Sequence, residues 1–130
     1  MNGRLSRWIP ALLWAAAVFC ASALSRLPQL PPGLLSWDKL QHCAAYLVGG
    51  AAFAHATRAG ERGPWPAVAL GVLYGAFDEV HQYFVPGRSS DVRDWVADTL
   101  GVLAGVFLFR SYLSWRGRRT PGARAEAVRP

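Results

Sequence analysis

Two runs of eighteen residues with no formal charge, residues 8–25 and 40–57, constrain this chain more than any other feature. A helix on the surface of a water-soluble protein needs a polar face, and neither run supplies one. Their length matches the ~20 residues an α-helix needs to cross the hydrocarbon core of a bilayer. Composition agrees. Of 130 residues, 52% are hydrophobic and only 17% charged, below the usual quarter or so. Disordered, collagen-like and disulfide-scaffold chains are excluded, and the length suits one domain. The expected architecture is all-α: a polytopic membrane protein, a bundle of four transmembrane helices.

The spans are expected at residues 8–24, 40–57, 65–84 and 95–115, with 116–130 a basic, disordered cytoplasmic tail. The last two spans have the shorter uninterrupted apolar parts, with Asp78 and Glu79 late in one and Asp98 early in the other. Ala21-Ser22-Ala23 resembles a signal-peptide cleavage site. The apolar stretch before it is longer than an ordinary signal core, so retention as a span is expected. Trp8, Trp37, Trp65, Trp95 and Trp115 fall near span ends, where interfacial anchors sit.

Fourteen Lys and Arg against eight Asp and Glu give a net charge of +6. The cations do not form a stripe with interleaved aromatics, so nucleic acid is not an expected partner. With a cytoplasmic N-terminus, ten of them face inward: Arg4, Arg7, Arg58, Arg62, Arg110, Arg116, Arg118, Arg119, Arg124 and Arg129. Arg26, Lys39, Arg88 and Arg93 face outward. The positive-inside rule then places both termini in the cytoplasm of a cell (inner) membrane. The two cysteines, Cys20 and Cys43, lie inside apolar segments without CxxC or Cys/His ligand spacing, so a structural zinc site has no support.

In this topology the outer end receives the start of the second span, the end of the third and the start of the fourth. Six of the eight acids fall there: Asp38, Asp78, Glu79, Asp91, Asp94 and Asp98. Asp38, His42, Tyr46 and Gly49 share one helix face, as do Gly71, Gly75, Glu79 and Gln82, and Asp94, Asp98, Gly101 and Gly105. Small residues let membrane helices pack closely, so these stripes should face inward and carry their acids with them. Ionisable groups at membrane depth need partners. The candidate polar pocket is therefore Asp38, His42, Glu79, Gln82, Arg88, Asp94 and Asp98, with the Pro86-Gly87 turn expected to bring Arg88 back over Glu79 and Asp98.

Plainer roles stand beside that reading. Asp38 with Gln41 fits a capping box for the second span, and Asp91 or Ser90 fits an N-cap for the fourth. Arg88 would serve equally as a clamp on Glu79 or Asp94, or as a fork for a ligand phosphate or carboxylate. His81, off the glycine stripe, is expected at the outer water or headgroups.

The residues Asp38-Lys39-x-x-His42-x-x-x-Tyr46, then Tyr74-Gly75-x-x-x-Glu79-x-x-Gln82-x-Phe84-x-Pro86-Gly87-Arg88, then Asp94-x-x-x-Asp98-x-x-Gly101-x-x-x-Gly105 resemble the VanZ-like family of membrane proteins. The resemblance covers residues 38–105. It implies a small helical integral membrane protein and a link to low-level resistance to teicoplanin-type antibiotics. It supplies no reaction.

Three readings of the cluster stay open at this stage. In the first, an outer polar pocket recognises an amphiphilic envelope molecule, such as a glycopeptide antibiotic or a lipid-linked precursor, with membrane lipid as the surrounding partner. In the second, a membrane-embedded enzyme acts on a lipid or cell-wall intermediate. In the third, the charges only hold helices together. No G-x-S-x-G, H-E-x-x-H or P-loop is present, so the balance leans away from an enzyme. Glu79, Asp94 and Asp98 would be the carboxylates for a hard cation if phosphoryl transfer were the chemistry. No metal and no cofactor is expected.

Overall fold

The computed structural model describes residues 3, 5–24 and 37–119. A 3-10 turn, Ser6–Trp8, leads into α1, Ile9–Ser22. Then follow α2, Trp37–Thr57, the single turn α3, Ala59–Arg62, α4, Trp65–Tyr83, and α5, Val92–Arg118. Among the described residues no strand occurs, so the chain is all-α as expected. The expectations for Arg4, for the proline-bearing connection 25–36 and for the tail from residue 120 lie outside the described residues.

Local chemistry sets the helix ends. Proline stands in the first turn of α1 and of α4, where its missing N–H has no intrahelical partner to lose. Asp91 caps α5: its backbone is extended and its carboxylate accepts the Arg93 N–H at 2.9 Å. After α4, the chain makes a tight turn in which the Arg88 N–H donates to the Val85 carbonyl at 3.1 Å. Pro86 takes the second position and Gly87, at φ 82°, the third, which a side chain would strain.

Boundaries differ from the expectation in three places. α5 begins at Val92 rather than Trp95 because the Asp91 cap fixes its start. It continues to Arg118 rather than Trp115, with Arg116 over the Tyr112 ring and Arg119 over the Trp115 ring, 5.9 and 4.0 Å from the centroids. Asp38 lies inside the first turn of α2, not at its cap, and its carboxylate meets Lys39 instead.

The tightest packing joins α2 to α5. A Cβ on Gly50 would strike the backbone of Val102, one on Gly101 that of Cys43, and one on Gly105 that of Leu47. Two of the three expected stripes are buried throughout, Gly71, Gly75, Glu79 and Gln82 on one helix and Asp94, Asp98, Gly101 and Gly105 on another; in the third, Tyr46 and Gly49 are buried while Asp38 and His42 are half-buried. α4 lies across this pair, with Gly71 against Val102 and the Trp95 indole N–H donating to the Val72 carbonyl at 3.1 Å. Trp95 thus ties α5 to α4. α1 joins through Trp14, which donates to the Ala45 carbonyl at 2.9 Å and sits edge-on to Tyr46 and Phe53. From α4, the Tyr74 hydroxyl donates to the Ala15 carbonyl at 2.5 Å.

Polarity is inverted relative to a water-soluble bundle. Asp78 is 2% exposed and Asp98 1%, while Leu73 is 67% exposed and Leu108 60%. The core proper is small: Ala11, Tyr46, Phe53, Ala54, Ala56, Ala59, Ala67, Val102 and Val106. Among the described residues, α5 is the one helix long and apolar enough to cross a membrane by length and composition. At ~1.5 Å per residue its 27 residues reach ~40 Å, whereas the 14 of α1 reach only ~21 Å.

Candidate functional site

The start of α2, the end of α4 and the start of α5 meet at one end of the bundle, and their polar side chains form two layers and a side cavity. In the outer layer, Lys39 gathers three carboxylates. Its ammonium lies 3.5 Å from Asp38, 3.5 Å from Asp91, and in direct contact with Asp94. Asp94 is buried and Asp91 is not. The Arg93 N–H holds the Asp91 carboxyl below the usual carboxylate range, and the positive charges of Lys39 and Arg93 act in the same direction.

The inner layer joins all three helices. His42 Nδ1 stands 3.0 Å from Asp98 Oδ1, a pair that is charged on both sides only when the imidazole is protonated. Glu79 Oε2 accepts the Ser90 hydroxyl at 3.0 Å and the Asp91 N–H at 2.9 Å. Glu79 Oε1, Asp98 Oδ2 and the Tyr46 hydroxyl are buried without a hydrogen-bond partner among the described residues. Donor atoms of His42, Glu79 and Asp98 lie within 4.8 Å of one another, and so do those of Asp38, His42 and Asp94. Either set has the composition of a cation site, but Lys39 already occupies the two carboxylates of the second.

The side cavity, about 140 Å³, lies between α1, α2 and α4. Asp38, His42, Tyr46, Asp78, Gln82 and Arg88 line it, with Ser22 at the end of α1. Gln82 donates to Asp78 Oδ2 at 3.0 Å, a pairing one helical turn apart. Asp78 and Glu79 therefore serve different places, as their ~100° offset on α4 requires.

All seven expected pocket residues meet at this end, but Arg88 does not do what was expected of it. Its guanidinium reaches neither Glu79 nor Asp98. It points across to α1, donating to the Ser22 and Ala21 carbonyls at 3.4 Å each, where a cation suits the negative end of the helix dipole. Lys39, adjacent in sequence to Asp38, is the clamp instead. Sequence reasoning counted Lys39 with Arg88 as a cation available to the acids but left Lys39, Tyr46 and Asp78 out of the pocket, although Tyr46 continues the stripe from Asp38 and His42. His81 is stacked on Phe19, ring centroids 4.2 Å apart, rather than standing in open water.

The family model described as VanZ/LLP1 matches residues 35–114, more than half of the chain. The chain belongs to the VanZ/LLP1 family. No curated protein and no solved structure matches it. The VanZ/LLP1 match takes in α2, α4, nearly all of α5 and every residue of the two polar layers, and leaves out α1. Membrane association is typical of VanZ proteins, and α5 fits it.

What the VanZ/LLP1 site can do follows from its groups. The His42–Asp98 pair sets an imidazole nitrogen 3.0 Å from a carboxylate oxygen, the arrangement of a group that can pass a proton. Arg88 borders a polar cavity with its Nε and Nη2 on two α1 carbonyls at 3.4 Å each, long contacts that a phosphate or carboxylate could displace by taking both N–H groups in parallel hydrogen bonds.

Proposed function

We propose that this VanZ/LLP1 chain spans the cell membrane four times with both termini in the cytoplasm. Its outer polar end recognises the anionic head of an amphiphilic envelope molecule, which links it to resistance against teicoplanin-type glycopeptides. The inverted polarity supports the membrane setting: buried carboxylates and a leucine- and phenylalanine-rich exterior suit lipid as solvent. The observation that carries the recognition reading is Arg88. Among the described residues it pairs with no carboxylate, only with two carbonyls at 3.4 Å, while it borders a cavity that also holds His42 and Gln82. A brace would have spent that guanidinium on Glu79 or Asp94. A second cavity at the same end, about 370 Å³, is lined by Leu40, Cys43, Val92, Val96, Ala97 and Leu100 with Lys39 and Arg93 beside them. That makeup suits an acyl chain below an anionic head.

A membrane-embedded enzyme acting on a lipid or cell-wall intermediate is the second reading, favoured by the His42–Asp98 pair at 3.0 Å. The Lys39 knot is what an assembly factor would share with either.

The test is a mass profile of lipids and metabolites that stay with the protein when it is purified in mild detergent. Wild type should carry an anionic amphiphile that Arg88→Gln loses and Arg88→Lys holds poorly. An identical profile from wild type and Arg88→Gln, or nothing bound to wild type, would overturn the recognition reading. A chemically altered amphiphile that disappears in His42→Gln would favour the enzyme.

A further inference from the structure

We propose that His42, Glu79 and Asp98 bind one divalent metal ion of the zinc or manganese type. The three donors come from α2, α4 and α5, and their ligating atoms stand within 4.8 Å of one another. Around an ion with bonds of ~2.0–2.2 Å, neighbouring donors stand about 3–3.5 Å apart, so small side-chain rotations close the shell.

Charge makes the case stronger than proximity does. Glu79 is 7% exposed and Asp98 1%, and each keeps one buried oxygen with no partner. Such atoms are rare in folded proteins because each forfeits its hydration. Among the described residues the cations of this end are engaged elsewhere: Lys39 with Asp38, Asp91 and Asp94, Arg88 with the end of α1, and Arg93 with Asp91. Among the described residues His42 is the basic group that faces the two carboxylates, and it is neutral whenever it ligates a metal. A doubly charged ion neutralises both carboxylates and takes both orphaned oxygens at once.

The supporting contacts have the form that metal sites use. The Ser90 hydroxyl and the Asp91 N–H hold Glu79 by Oε2, which leaves Oε1 as the free donor. Hydrogen bonds of this kind orient a ligating carboxylate. One imidazole nitrogen with carboxylate oxygens suits zinc or manganese better than calcium, which takes an all-oxygen shell, and Cys43, next to His42, is not in the group. The site does not involve Arg88, so it stands or falls apart from the recognition of an anionic ligand.

The experiment uses the full chain in detergent, stripped with a chelator, then equilibrated with zinc chloride or manganese chloride and freed of excess by gel filtration. Elemental analysis should find one ion per chain, and the stripped protein should melt at a lower temperature than the loaded one. Glu79→Gln and Asp98→Asn should lose the ion, whereas Asp38→Asn and His81→Ala should keep it. Ser90→Ala, a change at an exposed residue that leaves the bundle intact, should weaken binding by about 10–100-fold through the loosened Glu79. Wild type that takes up neither ion at millimolar concentration and melts unchanged would overturn the proposal. So would retention of the ion by Glu79→Gln with its loss in Asp38→Asn, which would put it in the Lys39 layer.

Discussion

Replacing Gly101 or Gly105 by alanine should loosen the whole molecule, because both lie where α5 presses on the backbone of α2. An alanine Cβ at position 101 would stand 3.0 Å from the Cys43 carbonyl carbon and the Leu47 nitrogen, with the Cys43 oxygen nearer still. At position 105 it would stand 2.9 Å from the Ala51 nitrogen and the Leu47 carbonyl carbon. Backbone atoms cannot swing aside as a side chain can. Ordinary carbon contacts run ~3.5–4.0 Å, so the helices must part by roughly 0.5–1 Å, a gap that forfeits a quarter to a half of the dispersion attraction between the atoms it separates. Overpacking of this kind costs about 1–3 kcal/mol. Alanine returns ~0.5–1 kcal/mol in helix propensity, leaving a net loss of up to about 2.5 kcal/mol at each site, toward the upper end because the clash is with backbone. Gly117, with nothing within 4 Å among the described residues, is the control, and there alanine should stabilise by that propensity alone. Gly75 is intermediate, since its Cβ would meet side-chain atoms of Trp95 and Asp98 at 3.2 and 3.4 Å. Denaturant unfolding in detergent, followed by circular dichroism, reads all four. Gly101→Ala and Gly105→Ala at or above wild-type stability, with Gly117→Ala behaving as stated, would refute the close packing of α2 on α5.

Lys39→Met leaves Asp94 buried beside two further carboxylates and should cost about 3–5 kcal/mol, much of it recovered by adding Asp94→Asn; additive losses in the double-mutant cycle would mean the two never meet. Asp91→Ala removes the α5 cap and should cost ~1 kcal/mol, seen as earlier melting of the helix. The Asp91 carboxyl is held below its usual range, so its contribution is full above the unfolded value of ~3.9 and disappears as pH falls through the lower folded value; Asp91→Asn should flatten that acid limb, and an unchanged limb would contradict it. Reporter fusions after residues 33, 61 and 118 should read outside, inside and inside, and an outside signal at 118 would sink the four-span topology. The intact mass should show residues before Leu24 retained, because Trp14 and Ala15 tie α1 to α2 and α4; a mature chain beginning at Leu24 would disprove it.

Helix content and the polar end were legible in the sequence because both rest on periodicity. Apolar length marked out the helices, and Gly71, Gly75, Gly101 and Gly105 marked the faces that pack. The acids lie on the same stripes as those glycines, so the helical repeat by itself carried Glu79, Asp94 and Asp98 inward. Pairing was a different matter. Whether Arg88 or Lys39 clamps the carboxylates depends on where a long flexible side chain finds its nearest partner across helices, and no spacing along the chain encodes that. The turn at Pro86 and Gly87 was foreseeable, yet α1 lies within reach of Arg88 and its carbonyl ends took the guanidinium. Asp91 was a legible cap, whereas its backbone N–H serving Glu79 was not, because that bond closes between an α4 side chain and a loop. The orphaned oxygens of Glu79 and Asp98 belong wholly to the tertiary structure: only three helices in contact can bury two carboxylates, bring His42 to them, and leave Lys39, Arg88 and Arg93 to other partners.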